Sequence, residues 1–310
     1  MKGKNLLATL RLIRLPNLLM LAGAQVLARW CLIIPAFRTE YFITNIFPDH
    51  LSAIEFTLLV LSTAFIAAAG YIINDAFDVQ TDAVNKPGKN LVGSLLSIGK
   101  AKRIFGVLGG AGIMLGIFLS IRIGKPQMGL LHVFSVFTLY LYSSNYKKVP
   151  FVGNFLVAAL CALSLLLVGL FEPEFYRNIN YLMWFVVMAF LLSLVREIIK
   201  DMEDVSGDEM AGARTLPIAI GIRRTKIIVH FFLLLTAAYV AWIIYNNFQS
   251  NSIISIWYMM AMFIIPLAGL FYLVASAGSK KDFHYASLFA KLILLGGILT
   301  MVPFYFYFLT

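Results

Sequence analysis

The chain has 310 residues, of which 61% are hydrophobic and 13% charged, with a mean hydropathy of +0.86. A soluble domain carries about 25% charged residues, so this composition excludes a water-soluble globule and makes lipid the solvent. The net charge of +10 does not indicate a nucleic-acid surface, because the cations cluster at the ends of apolar runs rather than along one polar face.

The segment Met1–Asn17 places Lys2, Lys4, Arg11 and Arg14 among leucines and reads as an interfacial helix leading into a first span. A helix needs about 20 apolar residues to cross ~30 Å of hydrocarbon. Nine stretches qualify: Leu18–Phe37, Ile54–Ile73, Ile104–Ile121, Gly129–Asn145, Phe151–Phe171, Tyr181–Val195, Ile227–Tyr245, Ile254–Ala275 and Tyr285–Leu309. Arg29 interrupts the first, where it is expected to snorkel outward. Cys31 and Cys161 fall inside apolar runs and are expected to act as small buried residues. His50, His132, His230 and His284 show no ligand spacing and receive no role.

With nine spans, 19 of the 25 lysines and arginines fall on the side of the N-terminus. The positive-inside rule then puts the N-terminus in the cytoplasm and the C-terminus outside, in the plasma (cell inner) membrane. Two long polar connections, Asn74–Arg103 and Arg196–Lys226, face the cytoplasm in this arrangement. The whole chain, residues 1–310, is expected to form one domain: an all-α bundle of nine transmembrane helices.

Each long connection carries the same pattern, D-x-x-D-x-x-x-D. The first copy is Asp75, Asp78 and Asp82, and the second, 126 positions later, is Asp201, Asp204 and Asp208. Spacing of i, i+3, i+7 sets three carboxylates on one helix face. Like charges at that spacing repel, the C-terminal dipole disfavours anions, and carboxylates at a membrane border are costly. A cation is therefore expected between them. Oxygen ligands suit Mg²⁺, which takes one or two carboxylates together with substrate phosphates.

Cations accompany both copies. Lys86 and Lys89 follow the first, Arg196 and Lys200 precede the second, and Arg214 follows it, while Tyr142, Lys147 and Lys148 end the fourth span. Metal-bridged carboxylates with lysines and arginines read as a cage for a diphosphate, neutralising charge that grows as a C–O bond breaks. Lys148, Arg223, Arg224 and Lys226 read instead as positive-inside anchors. No Walker A, GxSxG or GxGxxG motif occurs in a credible context.

These stretches resemble the UbiA superfamily of intramembrane prenyltransferases. The resemblance rests on Asn74-Asp75-Ala-Phe-Asp78-Val-Gln-Thr-Asp82 with its Asn85-Lys86-Pro87 tail, and on Arg196-Glu-Ile-Ile-Lys200-Asp201-Met-Glu-Asp204-Val-Ser-Gly-Asp208. Tyr142-Ser-Ser-Asn-Tyr-Lys147-Lys148-Val-Pro150 with Gly153-Asn154 supports it, as do Arg14 and Asn17 before the first span. It implies Mg²⁺-dependent transfer of a polyprenyl group from its diphosphate to a lipophilic acceptor, by drawing off diphosphate to leave an allylic cation. Asn74, Asp75, Asp78 and Asp82 would hold one Mg²⁺ and the diphosphate. Asp201, Asp204 and Asp208 would hold a second metal or orient the acceptor, and Lys147 would contact the diphosphate. The implied partners are a polyprenyl diphosphate, the acceptor and membrane lipid, with no nucleic acid.

Many members carry an arginine-proline pair after the N-x-P stretch, whereas this chain reads Asn85-Lys86-Pro87-Gly88-Lys89-Asn90. The second motif, running into Gly212-Ala213-Arg214-Thr215-Leu216-Pro217, looks most like the geranylgeranylglycerol-phosphate geranylgeranyltransferase branch. An aromatic quinone-precursor acceptor is the rival within the family. A cation-coupled transporter and a non-catalytic scaffold are the rivals outside it, and the residues leave the oligomeric state open.

Overall fold

The computed structural model describes residues 10–37, 50–85, 91–173, 179–248, 257–258 and 260–307, and among them the regular structure is helical throughout. The helices are α1 Leu15–Phe37, α2 Ala53–Phe77, α3 Val79–Asn85, α4 Ile98–Arg122, α5 Gly129–Ser144 and α6 Val152–Phe171. They continue as α7 Ile179–Met210, α8 Leu216–Ile220, α9 Ile222–Phe248, α10 Met260–Ser276, α11 Lys280–Leu299 and α12 Met301–Tyr307.

Local chemistry sets several boundaries. Ser52 with Glu55, and Ser279 with Asp282, form capping boxes that start α2 and α11. Pro16 and Pro217 occupy first-turn positions, where a missing N–H costs nothing. Past α7 the chain turns at Gly212, whose φ of +65 favours glycine.

Among the described residues, seven helices (α1, α2, α4, α6, α7, α9 and α11, the last continuing to Pro303) are long and apolar enough to cross a membrane. The fourth expected span is the 16-residue helix α5 and the eighth falls on the shorter apolar helix α10, with residues 254–256 and 259 of the eighth outside the described residues, so the described helices give seven full-length spans rather than the expected nine. Large apolar side chains line the outside of the bundle, as lipid solvent requires: Val107, Met114 and Phe118 on α4, Ile227, Phe231 and Leu234 on α9. The molecule is an integral, multi-pass membrane protein.

The core centres on α7, whose Leu192, Leu194, Val195, Ile198 and Ile199 are all buried and pack with residues of α9, α10 and α11. At 32 residues α7 is ~48 Å long, well beyond the hydrocarbon thickness, so its Arg196–Met210 end continues as helix into the polar zone. The stretch expected as a polar connection is thus largely helix.

Close packing of α4 depends on small residues. A Cβ at Gly112 would stand 2.6 Å from Ile66 Cγ1 and 2.9 Å from the Ser62 carbonyl, and one at Gly116 would stand 2.3 Å from the His132 ring. Between membrane helices such residues permit the backbone approach from which packing energy comes. Gly116→Ala is expected to destabilise the protein by about 1–3 kcal/mol, the usual range for overpacking, read as a lowered unfolding temperature in detergent.

Candidate active site

α1, α2, α3, α5, α6 and α7 surround one cavity of about 320 Å³. Lining positions recur at helical spacing: Thr63, Ile66, Ala67, Gly70, Tyr71 and Asn74 on α2, and His132, Ser135, Leu139 and Tyr142 on α5. α6 contributes an apolar stripe from Val157 to Leu167, whereas α7 enters the wall only from Arg196 onward. One end of the cavity is therefore charged and the other mostly apolar.

The charged end unites the two acidic motifs. Asp78 and Asp82 line it from one side, and Asp201, Asp204 and Asp208 from the other. Asp75 is outside the lining itself and pairs at 2.7 Å with Arg14, which does line it. The two copies differ in backbone. Asp201, Asp204 and Asp208 sit inside one continuous helix, but α2 ends at Phe77 and Asp78 (φ −91, ψ 7) breaks the run, leaving Asp82 on α3. The expected single-helix face holds for the second copy only.

Asp75, Asp78, Asp201 and Asp204 are each held by a neighbouring side chain. Lys147 Nζ pairs with Asp78, whose other oxygen accepts from Asn74 Nδ2 at 2.7 Å. Lys200 pairs with Asp204 at 2.9 Å, and Asn154 Nδ2 donates to Asp201 at 2.8 Å. Arg14 also lies over the Tyr71 ring at 4.9 Å. Burial works against the Arg14 charge, but Asp75, Tyr71 and Asp82 more than offset it and raise its pKa.

Two backbone outliers sit at this mouth. Arg14 (φ 51) and Phe151 (φ 66) are the non-glycine positive-φ residues among those described. Such conformations cost about 1–3 kcal/mol and persist where surroundings over-determine them. The first seats Arg14 on Asp75 at the start of α1, and the second starts α6 just after the Tyr146–Lys148 turn that presents Lys147.

Of the other expected site residues, Asn17, Asn74, Tyr142, Arg196 and Lys200 line the cavity. Lys148, expected only as an anchor, lines it too. Arg214 stands exposed and off the cavity wall, its backbone N–H donating to the Lys148 carbonyl at 3.0 Å. Lys86 lies outside the described residues. Cys161 opens into the cavity rather than packing in the core, while Cys31 is buried as expected.

Sequence reasoning gave no role to four participants. Glu197 lines the cavity and pairs with Arg196 at 2.5 Å; its place four residues before Asp201 was the available signal. Asn154, one turn inside α6, holds Asp201. His132 reaches the deep end, where its Nε2 lies 3.0 Å from Ser62 Oγ.

The fourth is Asn85, which joins the halves. Its Nδ2 donates to the Asp204 carbonyl at 3.0 Å, and its Oδ1 accepts from the Gly207 N–H at 3.1 Å. Lys280 Nζ adds a bond of 3.1 Å to the Asn85 carbonyl. A Cβ at Gly207 would come within 2.4 Å of the Asn85 amide. Gly207→Ala is expected to push α3 off α7 and, by misplacing Asp82 against Asp204, to cut turnover about tenfold or more in a steady-state assay.

The donor set fits a hard divalent cation. It is all oxygen, and Asn74 Oδ1, next to Asp78, is buried without a hydrogen-bond partner. No group of three histidine, cysteine or acidic side chains is gathered closely enough to hold a metal among the described residues. Mg²⁺ does not demand one, since substrate phosphates complete its shell.

Residues 41–307 match the model of the UbiA prenyltransferase family. The digeranylgeranylglyceryl phosphate synthase of Sulfurisphaera tokodaii is 36% identical over 172 residues, 56% of this chain and 60% of the relative. The chain thus spans about three fifths of the length of that relative. A solved structure concerned with digeranylgeranylglyceryl phosphate synthase in membranes superposes with a TM-score of 0.62 at 25% identity, covering 97% of this chain and 99% of the other. A UbiA homologue from Archaeoglobus fulgidus, bound to GPP and Mg²⁺, superposes at 0.57 with 16% identity over 95% of this chain and 99% of its own, and shows the shared fold.

Proposed function

Because this chain belongs to the UbiA prenyltransferase family, we propose that it transfers a geranylgeranyl group from its diphosphate to a glycerol-phosphate ether lipid. The observation that carries this reading is the convergence, on one cavity, of two acidic motifs 126 positions apart, with an apolar interior beneath them. The distribution of lysine and arginine supports a cytoplasmic mouth and N-terminus. The names of the relatives favour the ether-lipid acceptor over an aromatic one.

Asn74, Asp75, Asp78 and Asp82 would hold one Mg²⁺, and Asp201, Asp204 and Asp208 a second or the acceptor. Bound Mg²⁺ neutralises the diphosphate oxygens and so favours departure of the leaving group. Lys147 and Lys200 now neutralise Asp78 and Asp204. With those carboxylates engaged by metal, the ammonium groups of Lys147 and Lys200 would be available to the diphosphate and would offset the charge that develops as the C–O bond breaks. Arg14 and Arg196 supply further positive charge at the mouth. Asn154 and Asn85 hold the two carboxylate sets in register. The apolar stripes of α2, α5 and α6 receive the isoprenoid tail and keep water from the allylic cation.

Purified protein given Mg²⁺ and geranylgeranyl diphosphate is expected to add one geranylgeranyl unit to geranylgeranylglyceryl phosphate, read by mass spectrometry of the lipid product. Chelation of the metal should abolish the product and fresh Mg²⁺ should restore it. Prenylation of an aromatic quinone-precursor acid instead would overturn the acceptor assignment. No prenylated product from either acceptor would overturn the reaction.

A further inference from the structure

Lys291 lies inside α11, eleven residues and ~16 Å beyond the helix start at Lys280. At that depth in an apolar helix an ammonium is costly, and such groups are kept for function. Helical side chains lean toward the N-terminus of their own helix, and the first turn of α11 is tied by Lys280 to Asn85, beside the second acidic motif. Lys291 therefore reaches back toward the charged end of the cavity. Its Nζ donates to Asn17 Oδ1 at 2.6 Å, 274 positions away. Asn17 lines the cavity and also hydrogen-bonds the Tyr71 hydroxyl.

Among the described residues Arg14 pairs with Asp75 and Arg196 with Glu197, whereas the partner of Lys291 is a neutral amide. The neighbouring charges that act on Lys291 are those of Arg196 and Arg14, both positive and both on the cavity wall. Like charges held together away from water repel, so this corner of the cavity favours an anion. Arg196 gives a second, independent sign. Its Nε is buried without a hydrogen-bond partner, as a donor awaiting a ligand would be. The donor's diphosphate belongs elsewhere, with Asp78, Asp204, Lys147 and Lys200. Arg196 lies eight residues before Asp204 on α7, ~12 Å further into the bundle.

The other anion of the reaction is the acceptor's phosphate. We propose that Arg196 and Asn17 receive it, with Lys291 as the positioning residue behind them that fixes the Asn17 amide and balances the phosphate charge. The proposal rests on the reading of the acceptor as a glycerol-phosphate ether lipid. In geranylgeranylglyceryl phosphate the free hydroxyl sits on the middle glycerol carbon, next to the one that bears the phosphate. Anchored here, the phosphate would hold that hydroxyl on the membrane side of the diphosphate, where the prenyl carbon lies. Two anionic headgroups would then share one cavity, each with its own set of cations.

Dissociation constants in detergent micelles test it. The probes are geranylgeranylglyceryl phosphate, its phosphate-free counterpart geranylgeranylglycerol, and geranylgeranyl S-thiolodiphosphate, a non-ionisable donor analogue, with Mg²⁺. Lys291→Met should weaken binding of the phosphate lipid about tenfold, the scale of one charge-assisted hydrogen bond, while geranylgeranylglycerol and the donor analogue bind as before. Lys291→Arg should keep most of the affinity. Arg196→Gln reads the same site from α7 and should repeat the phosphate-selective loss, whether or not Lys291→Met folds. Equal losses for the two acceptors would show a structural role and overturn the proposal, as would no loss in the folded variants or a loss confined to the donor analogue. Failure of the unsubstituted protein to bind the phosphate lipid would instead overturn the acceptor reading beneath it.

Discussion

Asp75→Asn and Asp201→Asn are each expected to lower prenyl transfer by about three orders of magnitude while leaving the fold intact, the scale seen when one preorganised charge-stabilising group is lost. Both substitutions keep shape and remove charge. Asp75 grips Arg14 at 2.7 Å, and its neutralisation would free that guanidinium from the mouth as well as removing a negative charge proposed to hold metal. Asp201 is held by Asn154 at 2.8 Å on the opposite wall. The two residues lie on different helices, 126 positions apart, so equal severity means that one reaction needs both walls. Turnover with geranylgeranyl diphosphate and an unfolding temperature in detergent, measured together, check the expectation. Activity near that of the parent in both variants would contradict it.

The second large effect is one of stability, at the end of the bundle away from the site. Arg29 is 3% exposed and Glu172 1% exposed, with Arg29 Nε 3.3 Å from Glu172 Oε1. Glu172 Oε2 accepts from the Leu51 N–H at 2.9 Å, and the Arg29 guanidinium donates to the Leu51 carbonyl and lies 4.5 Å from the Phe56 ring. Lys125 Nζ adds bonds to the carbonyls of Leu170 and Glu172 at 3.1 and 2.6 Å. Burial pushes the Glu172 carboxyl above its ordinary pKa, partly opposed by the Leu51 N–H and by Arg29. Glu172→Ala strands Arg29 without its counter-charge, which for a buried pair costs about 3–5 kcal/mol. The expected result is a sharp fall in unfolding temperature. Arg29→Met on that background should recover part of the loss, because removing both charges is far cheaper than removing one. A fall no larger than that of an exposed substitution would show that the pair carries no such energy.

That cluster also marks where sequence reading stops. Arg29 was expected to snorkel, which is what a lone arginine in an apolar run suggests. Its partner lies 143 positions away at the end of another helix, and no local pattern connects the two. The acidic motifs were legible for the opposite reason. Three carboxylates in a fixed pattern, written twice in an apolar chain, carry a cost that only function offsets.

Helix extents were less visible. The sixth span was expected to end at Val195, where hydropathy falls, but Arg196, Glu197, Lys200 and Met202 are good helix formers and the helix runs on to Met210. Hydropathy reports where lipid ends, not where the helix does. The break at Asp78 had no comparable signal, since aspartate there continues a helical pattern as readily as it ends one. Asn85 and Gly207 acquire meaning only when α3 folds back onto α7, and His132 only when Gly116 leaves room for its ring. These are tertiary facts, set by pairs far apart in the chain.

The most direct test of the account is Mn²⁺ binding, followed by electron paramagnetic resonance, in the presence of geranylgeranyl S-thiolodiphosphate. If the two acidic motifs grip one metal-bound diphosphate, Asp78→Asn and Asp204→Asn should each weaken analogue-dependent Mn²⁺ uptake sharply. Uptake that survives intact when either motif is disabled would contradict a shared site.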